Sequence, residues 1–314
     1  MTATRIDITA IPQRLRPAMT ALAQGAGRLA RLIRRDPGRH TDRAAALLFT
    51  DLLTQAGLAW HLDHRDPAPR EVIAGGDLAL AMISLDGACN LEGNGPAGTI
   101  FALMPATGAP EASFLRPARQ MLAGGYIIYG ASCRLMVSFG DGTQHYILDT
   151  DTDRFELAAA RHLIPGSPTE FAIDAAHYRH WPRPVRAYVD DCMAGLDGPR
   201  AANFTMRWTG ALVAEAHRIL MQGGICLCPA DRRDNQGGLR LLHQAAPLAM
   251  VIEQAGGRAT DGALPVLDQP ITDLRARTPL IFGSAEKVDR VAAYHDLPEA
   301  EVSALFGHRG LFRA

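Results

Sequence analysis

The chain has 314 residues, 47% of them hydrophobic and 21% charged, enough to bury a sizeable core and too apolar for disorder. Its formal net charge is -1, from 32 Lys+Arg against 33 Asp+Glu, which excludes a strongly basic nucleic-acid binder. No apolar run approaches the roughly 18 residues that span a bilayer, and the first residues lack the apolar stretch of a secretion signal. Neither a membrane nor a nucleic acid is therefore expected as a partner. The five cysteines are odd in number and sparse, which fits reduced thiols in a cytoplasm better than a disulfide framework.

Helical spacing opens the chain. From Leu15 to Arg35, Met19, Leu22, Leu29, Leu32 and Ile33 fall near one stripe, and a second helix is expected from Thr41 to Gln55, before Gly57. Strands follow at Asp77–Leu85, Thr99–Met104, Tyr126–Tyr129 and Arg134–Phe139. Gly140-Asp141-Gly142 then makes a hairpin turn into Gln144–Leu148, because Asp-Gly supplies the positive φ such turns need. The Pro-bearing stretch Ile164–Thr169 is the candidate boundary between an N-terminal α/β domain (1–164) and a C-terminal one (165–314). Beyond it come helices near Pro184–Ala194 and Thr209–Met221, and strands at Gly224–Pro229 and Leu239–Leu242. A helix at Leu248–Gln254 opens on Pro247 and stops at Gly256-Gly257. A strand at Leu280–Phe282 and a helix at Ala285–His295 complete the pattern, which is α/β without internal repeats.

The run from Gly223 to Ala249, with Arg240 and Gln244 inside it, resembles the signature region of class 1 fructose-1,6-bisphosphatases. So do Glu170–Asp174, Asn203–Trp208 with Arg207, Glu253–Gly257, and Leu85-Asp86-Gly87 with Asn90. The resemblance spans nearly the whole chain in order. It implies a layered αβαβα sugar-phosphatase fold, a homodimer or homotetramer, and an ancestral reaction that releases the 1-phosphate of fructose 1,6-bisphosphate. It also implies two or three Mg2+ ions held by carboxylates, because hard cations prefer oxygen.

Most of those carboxylates are replaced. The family's Asp-Pro-Leu-Asp-Gly-Ser-Ser reads Ile83-Ser84-Leu85-Asp86-Gly87-Ala88-Cys89 here, so the first bridging aspartate is Ile83 and both serines are gone. The Ser-Glu-Glu pair falls on Trp60-His61-Leu62, the water-activating aspartate on Ala46, and the metal-binding glutamate on Gln244. The family-matched pocket then consists of Asp86, Gly87, Asn90, Asp174, Arg207, Arg240 and Gln244, with Asp174 replacing an asparagine. Gly238 replaces a lysine of the sugar-phosphate contacts. The expectation is a paralogue that has lost ordinary catalysis, needs no cofactor, and keeps a site for a sugar phosphate or another small molecule.

Two alternatives carry other chemistry. One is weak residual Mg2+-dependent phosphatase activity, with Asp86 and Glu92 holding a single ion. The other is a rebuilt transition-metal site, in which His61, Asp63 and His64 act as imidazole and carboxylate ligands from one loop, together with Asp86 and Cys89. Cys226 and Cys228 share one strand face, and two core-filling thiols are expected there rather than a ligand pair. His180 and His217 are read as structural.

Overall fold

Strands as apolar as those of the first half must be covered on both faces, and the computed structural model places them inside a large mixed sheet. The structure describes residues 3–38, 40–54, 56–166, 168–231 and 236–295. Gln55, Ser167 and residues 232–235 of the stretches read above thus lie outside the described residues. The first sheet contains β1 (Arg5–Ile6), β2 (Leu58–Asp63), β3 (Arg70–Glu71), β4 (Leu78–Asp86), β5 (Ala97–Pro105), β6 (Ala123–Tyr129), β7 (Cys133–Ser138), β8 (Thr143–Asp149) and β9 (Arg154–His162). Their order is β1-β9-β8-β7-β6-β5-β4-β2-β3. The pairs β1–β9 and β2–β4 are parallel, and the rest are antiparallel.

A second sheet has the order β11-β10-β12-β16-β14, from β10 (Glu170–Ile173), β11 (Thr205–Met206), β12 (Ile225–Cys228), β14 (Gly257–Thr260) and β16 (Leu280–Ser284). A short ladder pairs β13 (Leu239–Arg240) with β15 (Arg277–Thr278). Helices fill the three remaining layers. Alternation along the strands assigns the cores. Leu78, Leu80 and Met82 pack toward α1 (Arg16–Arg35) and α2 (Thr41–Leu53). Ala79, Ala81 and Ile83 pack on the opposite face, toward α4 (Leu212–Gln222) and α5 (Ala246–Gln254). The outer face of the second sheet is closed by α3 (Arg183–Met193) and α6 (Ala285–His295). Helix, sheet, helix, sheet, helix is the layered α/β order expected from the resemblance.

Two local readings change. The segment holding His61 and Asp63 is not a loop but strand β2, because parallel pairing with β4 carries polar residues into the sheet. The strand expected at Leu239–Leu242 stops at Arg240, and a π turn runs from Leu241 to Ala245. Pro247 has no N–H to offer the His243 carbonyl, and the Ala246 N–H reaches five residues back to the Leu241 carbonyl instead.

Candidate functional site

The end of β4 positions the central residues. Its pairing with β5 shifts register between Ile83 and Asp86, which turns Asp86 toward the start of α4. There the Asp86 Oδ2 accepts the Val213 N–H at 3.0 Å. Burial pushes this carboxyl up, opposed by the Val213 and Leu212 N–H groups and by nearby His64. A carboxylate facing unsatisfied N–H groups at a helix start is a stable arrangement in itself. Gly87 follows at φ 72°, and a Cβ there would lie 2.6 Å from the Ala211 Cβ, so glycine permits both the turn and the close approach to α4. Asn90 completes the corner, its Nδ2 donating to the carbonyls of Pro96 (3.3 Å) and Thr209 (3.1 Å).

The positions matched to the other metal ligands do not face an open site. Ile83 and Leu62 lie on the same face of adjacent strands, 4% and 1% exposed, within the apolar layer under α4 and α5. The Gln244 Oε1 accepts the backbone N–H of Arg240 at 2.9 Å and so closes the π turn. Ala46 sits on α2 without a polar side chain.

Magnesium requires several oxygen ligands. Here the chain offers two hydrocarbon side chains, an amide already accepting a bond, and one carboxylate committed to α4. Among the described residues, no group of three or more His, Cys, Asp or Glu side chains is arranged to hold a metal ion. The residues present do not fit the ions of the ancestral reaction.

The histidine cluster separates in the same way. His61 and Asp63 fall on the α2 side of β2, opposite Leu62. Ser84 Oγ donates to Asp63 Oδ2 at 2.5 Å, while Arg65 binds Oδ1 through its backbone N (3.2 Å) and its Nε (3.0 Å). The His64 Nδ1 is 3.2 Å from the same oxygen, and Arg65 bridges onward to Asp42 of α2. These donors hold the Asp63 carboxyl far below the carboxylate range despite its burial. Burial pushes His61 down to about 4, so it is neutral at pH 7. Asp63 is thus a structural anchor between sheet and helix, and His61, Asp63 and His64 do not converge as one ligand set.

The sugar-phosphate positions each bond to groups of the chain itself. Asp174 ends β10, where its carboxylate accepts the Ala176 N–H at 3.0 Å. Arg207, exposed just beyond β11, pairs with Glu170 of its own chain at 2.9 Å. The Arg240 Nη1 donates to the Arg275 carbonyl at 2.9 Å. Cys89 and Glu92 are exposed, whereas Cys226 is fully buried and Cys228 half-buried against the central core. The Cys226 thiol is pushed well up by its bond to Cys228 and by burial, which suits a core thiol better than a thiolate ligand.

One residue of this region escaped the sequence reading. His243, in the π turn, is 3% exposed, and both ring nitrogens are buried without a hydrogen-bond partner among the described residues. Burial and the neighbouring His64 push it down to about 3. Its only sequence signal is its place immediately before Gln244.

Comparison with known proteins agrees with this architecture. Residues 70–160 match the family model described as fructose-1-6-bisphosphatase, N-terminal domain, and residues 164–296 match the C-terminal domain. The chain is 52% identical, over the full length of both, to a class 1 fructose-1,6-bisphosphatase of Paracoccus denitrificans. A class 1 fructose-1,6-bisphosphatase of Cereibacter sphaeroides is 57% identical over 76% of this chain and 72% of that protein. The holo crystal structure of Leishmania major fructose-1,6-bisphosphatase superposes with a TM-score of 0.85 at 26% identity, covering 92% of this chain and 97% of that one. Its apo form gives 0.86 at 27% identity, covering 91% and 96%. This chain belongs to the class 1 fructose-1,6-bisphosphatase family.

Proposed function

We propose that this protein is a non-catalytic, regulatory paralogue within its family, one that binds a sugar phosphate without hydrolysing it. The observation that carries the reading is the packing of Ile83 and Leu62 into the core where the family places metal-binding carboxylates. Without those oxygens, no ion can polarise a phosphoryl group or activate water at this place. The chain's remaining contribution is binding. Asp86 fixes the start of α4, Gly87 and Asn90 shape the corner beside it, and Arg240 supplies a cation for phosphate. The reading includes a cytoplasmic homodimer or homotetramer of two-domain subunits divided near Ile164.

Calorimetric titration with fructose 1,6-bisphosphate, with and without Mg2+, tests this function. Saturable binding that is independent of Mg2+ and weakened by Arg240→Gln is expected. Binding that requires Mg2+ would overturn it and favour residual phosphatase chemistry. Stabilisation by nickel, zinc or iron that is lost in a His61→Ala/His64→Ala variant would instead favour a rebuilt metal enzyme.

A further inference from the structure

A second cavity, of about 850 Å³, opens between the end of α1, the turn joining β6 to β7, and the flank of α4. Its size is in the range that encloses a small metabolite. Its charge is one-sided: the lining contains Arg34, Arg134 and Arg218 and no aspartate or glutamate.

Arg218 is already compensated, with Nη1 2.6 Å from Glu170 and Nη2 3.1 Å from Glu215. Among the described residues, Arg34 and Arg134 have no such carboxylate partner. Arg134 Nε donates to Ser132 Oγ at 2.8 Å, and its Nη1 lies 3.9 Å from the Met221 sulfur. Ile33, Leu91 and Met221 add apolar side chains to the lining.

Two guanidinium groups without carboxylate partners, facing a cavity with no acid in its lining, call for an anion from outside the chain. The planar fork of each matches a phosphate or carboxylate through paired N–H bonds. We propose that this cavity is a binding site for a small organic oxyanion, held by Arg34 and Arg134 with its carbon body against Ile33, Leu91 and Met221. The site differs from the family-matched pocket. It is built from the turn between β6 and β7 and the later turns of α4, and the Asn90 clamp onto Pro96 and Thr209 marks the rim between the two.

The test is calorimetric titration of the full chain with glycerol 3-phosphate, inorganic phosphate and citrate, at low and at physiological salt. Saturable binding of at least one probe is expected. Its Kd should rise at least about tenfold in Arg34→Gln and in Arg134→Gln, the loss typical of a charge-assisted hydrogen bond. Preference for the two phosphate probes identifies a phosphate ligand, and preference for citrate identifies a polycarboxylate. Among the described residues neither arginine pairs with a carboxylate, so both variants should keep the wild-type melting temperature without ligand. Binding of none of the probes would overturn the proposal. So would a Kd unchanged in both arginine variants, or binding lost in Arg240→Gln instead, which would move the anion to the family-matched pocket.

Discussion

Ile83 packs within an apolar layer with Leu62, Ile100 and Leu242. Restoring the family's residue by Ile83→Asp would bury a carboxylate without a partner. The expected cost is about 3 kcal/mol or more, read as a lower urea midpoint, with no gain in phosphate release. A neutral substitution would show that the position opens to solvent or an ion. The buried histidines make a second prediction at this scale. Burial pushes His61 and His145 down to about 4 and His217 and His243 down to about 3. In the unfolded chain each protonates near 6.5. Between about pH 6.5 and 4 the unfolded state therefore binds more protons, and stability falls as pH falls, by up to about 1.4 kcal/mol per pH unit for each histidine. Asp63 acts lower in the range. Its stabilisation is complete above the unfolded carboxylate value of about 3.9 and is lost below it. His243→Leu should flatten the loss of melting temperature between pH 6.5 and 4; an unchanged slope would show that His243 is not buried neutral.

Among the elements, the junction of β4 with α4 does the positioning. The bond of Asp86 to the Val213 N–H gives this carboxylate a role independent of metal binding. Asp86→Ala should cost about 1–2 kcal/mol, as the loss of a helix-start acceptor does, with the same cost in EDTA and in Mg2+. A cost that appears only with Mg2+ present would return Asp86 to the role of metal ligand. Most long elements were legible from sequence. Apolar periodicity located α1, β4, β5 and α6, and Gly140-Asp141-Gly142 marked the hairpin between β7 and β8. Strand β2 was not, because its Trp-His-Leu-Asp pattern is polar enough for a loop, and pairing with β4 on one side and β3 on the other makes it a strand. The same pairing decides which side chains meet. Once the segment is a strand, alternation sends His61 and Asp63 to one face and Leu62 to the other. His243 went unnoticed because a lone histidine carries no periodic signal, and its lack of partners is visible only in three dimensions.

Across the whole molecule, the layered fold of the family is kept, with its three apolar cores in place. Those cores are built on sheet and helix faces, and under the proposed reading the hydrocarbon side chains of Ile83 and Leu62 extend one of them. The measurement that bears most directly on this account is phosphate release from fructose 1,6-bisphosphate by the purified full chain in millimolar Mg2+. The account predicts turnover lower by at least about 10²–10⁴-fold than that of an intact family member, taking the loss of a single acid–base partner as the minimum. Phosphate release comparable to that of an intact family member, abolished by EDTA and restored by Mg2+, would contradict it.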